Sequence, residues 1–357
     1  MTMDWLESGR RQFYRLSARM PHAMLVHGER GMGKYVLAME MVASLLCDQS
    51  RQDQELRPAC GQCRNCLMFA SDNHPDLHLI TSELRYEEGQ LPHAEYALRY
   101  LEASEKRGKR KPRKVIAVDQ IRKLIENFSL SNHSAAYKVA LIDAAEAMNI
   151  NASNALLKLL EEPSPGSVLI LLCNDISRLP MTIRSRCINL APDPASHEQA
   201  MDWLVTQGVT ESNAGKALAI CGGAPLVALQ HTRTEDIVHF ESLLDALVSL
   251  LENRAGAIDA REKVLGLQSP SVLLGWLQRV VNWLISSVRS DAVKGPFPWQ
   301  AYQRAFSPLS RRLDESKLPA LFKLYDDLLE VKSQDVDVVH FGLLLDKWLI
   351  AFEQRLR

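Results

Sequence analysis

Met24-Leu25-Val26-His27-Gly28-Glu29-Arg30-Gly31-Met32-Gly33-Lys34-Tyr35 is the stretch whose reading decides the fold. An apolar run with the character of a buried strand enters a loop carrying Gly28, Gly31 and Gly33. The helix-like Val36-Leu37-Ala38-Met39-Glu40-Met41-Val42 follows at once. That order suits a phosphate-binding loop, because glycines let backbone N–H groups turn inward and the helix N-terminus adds partial positive charge. Gly28, Gly33 and Lys34 meet the G-x4-G-K spacing, in which the lysine reaches the outer phosphates. The next residue in such loops is a Ser or Thr that holds Mg²⁺. Here it is Tyr35, whose phenolic oxygen is too far from the backbone for that work. The cradle is present and its metal ligand is missing.

Outward from the loop, Lys138-Val139-Ala140-Leu141-Ile142-Asp143 reads as a second buried strand, ending on a carboxylate. In a P-loop fold an aspartate at that position helps hold Mg²⁺. A glutamate that activates the attacking water usually comes next, but here Ala144 and Ala145 follow. Glu146 is expected to lie where a helix already turns away. Between the two strands, Val115-Ile116-Ala117-Val118-Asp119-Gln120-Ile121-Arg122 opens a helix, with Asp119 expected as its N-cap.

Cys47 is followed by twelve residues and then by Cys60-Gly61-Gln62-Cys63-Arg64-Asn65-Cys66. Four thiolates at this spacing predict a closed tetrahedral Zn²⁺ site, the structural form with no open coordination position. His74 and His78 are not needed as ligands beside four cysteines. Cys173, Cys187 and Cys221 are scattered in or beside apolar segments, which fits a reducing cytoplasm better than a disulfide framework.

The chain has 357 residues, 46% hydrophobic content and a net charge of −1. It is long enough for two or three domains, and its charge balance gives no basic overall field. No run of about 18 uncharged apolar residues predicts a membrane span, and the N-terminus lacks the features of a secretory signal. Residues from about 81 to 114 look inserted and charged. They end in a run, 105–114, with seven basic residues in ten, expected as a solvated loop with contact to a phosphate backbone as the alternative.

Asn154-Ala155-Leu156-Leu157-Lys158-Leu159-Leu160-Glu161-Glu162-Pro163 resembles the bacterial DNA polymerase III clamp-loader subunits, members of the AAA+ superfamily. The resemblance continues through Ser167–Cys173 and Asn174-Asp175 to Leu179-Pro180-Met181-Thr182-Ile183-Arg184-Ser185-Arg186-Cys187. The family's zinc knuckle also follows its P-loop helix. The resemblance implies an α/β P-loop (AAA+, RecA-like) domain over residues 1–191, with the zinc module at about 47–66. A small helical lid over 192–235 and an all-α collar for oligomerisation over 236–357 would follow. It implies that Gly28, Gly31, Gly33, Lys34, Asp143 and Asn174 form a degenerate nucleotide site. Arg186 would act in trans as an arginine finger on a neighbour's ATP.

The family's motor subunit, gamma/tau, carries the P-loop Ser/Thr, the glutamate after the strand and a further arginine near Pro225. Tyr35, Ala144 and Leu226 stand at these places. Three separate losses imply a non-hydrolysing stator with no ATPase or polymerase activity of its own and with weak or absent ATP binding. It would be a cytoplasmic subunit of the DNA-directed DNA polymerase III holoenzyme. Its implied partners are delta and gamma/tau subunits in a hetero-pentameric ring, and through them the sliding clamp and primer–template DNA. The alternatives are an active ATPase of the gamma/tau type and a zinc-braced nucleic-acid-binding protein. From Val238 onward apolar residues recur at three- and four-residue steps, which predicts helices. Trp276 and Trp283, seven apart, fall on one helical face, expected to pack in a core, with a subunit-facing collar surface as the reading the resemblance implies.

Overall fold

Runs such as Leu169-Ile170-Leu171-Leu172 have no polar face to offer water, so the strands they form must be covered on both sides. That requirement organises the N-terminal half. The structure is a computed structural model. It describes residues 3–52, 55–89, 91–102, 110–129, 134–289, 298–311, 313–333 and 338–356. The chain divides into two compact units, Met1–Ala195 and Ser196–Arg357.

In the first unit the order is α1 (Glu7–Arg15), β1 (Ala23–His27), α2 (Lys34–Leu46), β2 (Arg51–Gln52), β3 (Glu55–Leu56), α3 (Arg64–Ala70), β4 (Leu77–Ile80) and α4 (Glu83–Glu87). It continues with α5 (Val118–Phe128), β5 (Lys138–Ile142), α6 (Ile150–Glu161), β6 (Ser167–Cys173), α7 (Met181–Arg184) and β7 (Ile188–Leu190). Five strands form one parallel sheet in the order β4-β5-β6-β1-β7, and β2 pairs with β3 in a separate antiparallel ribbon. Leu25 is level with Leu171 on one side and Asn189 on the other, so the loop-bearing strand lies inside the sheet. Every residue of β4, β5 and β6 is buried. On one face Leu25, Ile142 and Leu171 pack with Ile121, Leu124, Leu156 and Ile183 from the covering helices. The expected P-loop α/β fold is the one adopted.

Helix α1 lies against α2 at Gly9, where a Cβ would come within 2.5 Å of Leu37 Cδ2. The next residue, Arg10, forks onto Glu40 of α2 with bonds of 2.7 and 3.0 Å. The N-cap of α5 is Ala117 rather than Asp119. Gln120 Oε1 accepts the Ala117 N–H at 3.0 Å, and Asp119 falls in the first turn, where its charge still complements the helix dipole.

Within the inserted stretch 81–114 the part before the basic run is partly buried, while residues 110–114 are exposed or half-buried. Ser82, Glu83, Tyr96 and Tyr100 are buried, and Glu83 accepts bonds from Arg110 Nη2 (2.9 Å) and the Arg113 N–H (2.8 Å). Residues 105–109 of the basic run lie outside the described residues.

The second unit is helical: α8 (His197–Thr206), α9 (Glu211–Cys221), α10 (Pro225–His231), α11 (Asp236–Leu251), α12 (Ala257–Leu265), α13 (Pro270–Val288), α14 (Gln303–Ser310), α15 (Leu318–Ser333) and α16 (Val338–Leu356). Ser196 and Gln199 form a reciprocal capping box at the start of α8. At the α10–α11 junction the Asp236 carboxylate accepts from His231 Nδ1, Thr234 Oγ1 and Gln268 Nε2. Trp276 and Trp283 are both in the core, edge-on to Phe240 at 5.5 and 5.6 Å between ring centroids. No helix among the described residues is long and apolar enough to cross a membrane.

Candidate phosphate cradle and metal centre

Beyond His27 the chain turns through Gly28 (φ +149°), Gly31 (φ +83°) and Gly33 (φ +92°). These are conformations that residues with a Cβ rarely adopt. Gly33 is also crowded from outside, since a Cβ there would meet Leu6 Cδ1 at 3.2 Å and Met3 Sδ at 3.3 Å. Trp5, from the same N-terminal turn, donates its indole N–H to the Met32 carbonyl at 2.9 Å. The loop is thus held by the residues that precede α1.

Lys34 opens α2 and is buried, with Nζ donating to the Glu29 carbonyl (2.7 Å) and to Asn174 Oδ1 (2.9 Å). Burial lowers its pKa to about 8, although Glu146 and Asp143 pull the other way. Asn174 is itself fixed, because Glu146 Oε1 accepts both its backbone N–H (3.0 Å) and its Nδ2 (2.8 Å). The carboxylate expected to turn away is therefore part of the site. A short turn, Ala145–Ala147, entered through Ala144 at φ +58°, carries it there.

Asp143 follows directly on β5 and is buried. Burial raises its carboxyl pKa, and Arg85 opposes that shift from 3.2 Å, through Nε to Oδ2. Arg85 Nη1 also bonds Glu88 (3.0 Å), and Arg30 lies 3.6 Å from the same carboxylate. Tyr35 points its hydroxyl to the Pro92 carbonyl at 2.8 Å, and burial raises the phenol's pKa. Lys34 bonds Asn174 directly, and Asp143 lies near enough for its charge to act on the ammonium. Arg85 and Glu146 complete the set.

A magnesium nucleotide needs a free lysine for the outer phosphates and oxygen ligands for an octahedral ion. Here Lys34 is engaged twice, Tyr35 reaches away, and the Asp143 carboxylate bears a guanidinium. The donor set does not fit a bound magnesium ion.

Arg186 lies apart from this cluster, after α7 and beyond Pro180. Its Nη2 pairs with Glu161 Oε1 at 2.8 Å, and Nη1 donates to the Thr182 carbonyl at 2.9 Å. Its side chain is 37% exposed and that of Glu161 50%, so the guanidinium is at the surface on a solvent-screened partner.

The sulfur atoms of Cys47, Cys60, Cys63 and Cys66 all lie within 4.8 Å of one another. Two pairs, Cys47–Cys63 and Cys60–Cys66, are 3.8 and 3.9 Å apart. Tetrahedral metal–sulfur bonds of ~2.3 Å require sulfurs ~3.8 Å apart. The Gln62 and Cys63 N–H groups point at Cys60 Sγ (3.4 and 3.3 Å), which lowers that thiol's pKa to about 6. Burial pushes Cys66 up to about 12 and raises Cys47. The cluster is compatible with a four-thiolate metal ion. His74 is instead buried beside Asp76, whose N–H it accepts at Nδ1, and His78 bonds the Tyr100 hydroxyl.

A family model described as "DNA polymerase III, delta subunit" matches residues 14–194. The chain is 35% identical to the DNA polymerase III subunit delta' of Pseudomonas aeruginosa, over 59% of this chain and 56% of that protein. The match thus spans little more than half the length of that relative. To the subunit delta' of Yersinia pestis it is 28% identical, over 99% of this chain and 95% of that one. The DNA polymerase III subunit tau/gamma of Haemophilus influenzae is 27% identical over 76% of this chain but only 30% of its own length.

Proposed function

The chain belongs to the DNA polymerase III delta-subunit family, and from that premise we propose that it is the non-hydrolysing, delta-prime-type stator of a clamp loader. In this reading it stands in a hetero-pentameric ring with delta and gamma/tau subunits, in the cytoplasm. Through that ring it supports ATP-dependent loading of the sliding clamp onto primed DNA. The carrying observation is the engaged cradle, with Lys34 on Glu29 and Asn174 and with Asp143 on Arg85. A motor would need those groups free for nucleotide and metal.

Arg186 supplies in trans what its own chain does not use. Its pairing with Glu161 is no obstacle, because an exposed ion pair is worth only ~0–1 kcal/mol. An arginine finger lowers a phosphoryl-transfer barrier by ~4 kcal/mol or more, from its ~10³-fold or greater effect on rate. Breaking the Glu161 pair therefore costs little beside the transition-state stabilisation that the guanidinium supplies. The planar fork pairs with two oxygens at once, which an ammonium cannot do. Cys47, Cys60, Cys63 and Cys66 hold one structural Zn²⁺ that braces the loop between α2 and β4. Residues 192–235 serve as the lid and 236–357 as the collar that carries most assembly contacts.

The test is steady-state ATPase and clamp loading by reconstituted complexes. The isolated chain should show no turnover. Arg186→Ala and Arg186→Lys should both assemble, and both should lower the stimulated ATPase of the ring without abolishing it. Glu161→Gln should leave it within about twofold, since only a screened surface pair is lost. Turnover by the isolated chain that Lys34→Ala removes would favour a gamma/tau-type motor instead. Equal rates for wild-type and Arg186→Ala complexes would make Arg186 structural.

A further inference from the structure

Four charges converge on the cradle. Asp143 and Glu146 each bring one negative charge, and Lys34 and Arg85 each bring one positive charge. They are joined in pairs or through Asn174. With Glu88 and Arg30 at the edge of the same network, three negative and three positive charges balance before any ligand arrives. A buried carboxylate is costly unless a cation or several hydrogen bonds compensate it. For Asp143, 9% exposed at its side chain, Arg85 is that cation.

We propose that Arg85 is a resident cation, standing in by its charge for the divalent metal ion that a nucleotide-binding P-loop would hold, and that it keeps this cradle closed to magnesium.

The position of Arg85 is built from several sides. Its own backbone N–H is taken by the Ser82 hydroxyl (3.2 Å), which caps α4. The same turn is tied down just before Arg85, where the Leu84 N–H meets the Arg113 carbonyl (3.0 Å) and Glu83 meets Arg110 and Arg113. Glu88 holds the far end of the guanidinium at 3.0 Å. Tyr35, which follows the P-loop lysine, sends its hydroxyl to Pro92 beyond α4 rather than toward Asp143. The residue that would bring a metal ligand thus helps fasten the segment that delivers the substitute charge. Arg85 acts as a positioning residue: it fixes Asp143 and the end of β5 in one arrangement whatever the nucleotide state of a neighbour.

The inference rests on the stator reading and deepens it, and its test separates the two. The probe is Mg²⁺ alone, at a few millimolar against ionic-strength-matched NaCl, with thermal unfolding of the full zinc-loaded chain as readout. Wild type should be insensitive to Mg²⁺. Arg85→Ala should melt lower, and Mg²⁺ should restore roughly 2–4 °C by binding the exposed carboxylate of the folded state. Arg85→Ala with Asp143→Asn should lose that response, because the buried carboxylate that the ion would bind at the end of β5 is gone. If Arg85→Ala does not fold, Arg85→Gln, which keeps length and a donor, is read in the same way. No Mg²⁺ response in the single variant, or an equal response in wild type or the double variant, would overturn the proposal. Either result leaves the stator reading intact, since that falls only if the wild-type chain turns over ATP.

Discussion

Lys34 carries the cost of the closed cradle in its own titration. Burial lowers its pKa to about 8 from an ordinary value of 10.5. A lysine depressed in this way weakens the fold below its folded pKa, where it must be charged in both states but is poorly solvated in one. Between pH 8 and 10.5 the unfolded chain still binds the proton that the folded chain has released, so stability rises with pH over that window. Urea unfolding of wild type and Lys34→Met across pH 7.5–10 should therefore follow different courses, with wild type gaining about 2 kcal/mol on the variant. Parallel curves would mean that the ammonium is better solvated than its burial implies. Lys34 is legible in the sequence because a local spacing defines it, and Asp143 because an apolar strand ends there. Arg85 is not, because it lies 58 positions from Asp143 in a charged stretch with no periodicity. Glu146 is visible as a residue but not as a participant. Only the left-handed turn at Ala144 brings it to Asn174.

The sheet strands are the most readable elements, since uniformly apolar runs flanked by turn residues leave few other places to go. The knuckle is readable for a different reason: cysteine spacing encodes the ligand set directly. What spacing does not encode is the unequal preparation of Cys47, Cys60 and Cys66. Cys60, aided by two N–H groups, is near pKa 6, whereas Cys66 is held near 12 by burial and Cys47 is also raised. Metal binding must displace protons from at least the last two. The logarithm of apparent zinc affinity should climb with pH between 7 and 8 with a slope of about two or more. Competition against a chelator with known protonation behaviour measures it, and a flat profile would exclude thiolate ligation by Cys47 and Cys66. At the start of α5 the reading fails by a small margin of chemistry. Asp119 has a better capping side chain than Ala117, but Gln120 reaches back to the Ala117 N–H and shifts the start of the helix.

At the scale of the whole molecule, each of the two units has its own core. In the second, Phe240, Leu247, Trp276, Leu277, Trp283 and Phe306 are buried among their own helices, and Trp348 with Phe352 closes the C-terminal end. A segment of that length with a continuous apolar interior is large enough to fold alone. The fragment 196–357 should accordingly express as a helical protein with a cooperative urea transition, without zinc or the N-terminal unit. A fragment lacking a cooperative transition would show that its core depends on the rest of the chain. The helices themselves could be read from periodicity. Their pairing could not, because it depends on partners such as Asp236 and Gln268, which no local pattern connects.

The indole of Trp5 on the Met32 carbonyl has an optical consequence. The other five tryptophans of the chain, at 203, 276, 283, 299 and 348, all belong to the second unit. Trp5 is therefore a solitary chromophore clamped to the glycine loop and sealed from solvent. With those five replaced by phenylalanine, its emission would remain blue-shifted while the loop stays shut and would move to the red as soon as the loop lets go.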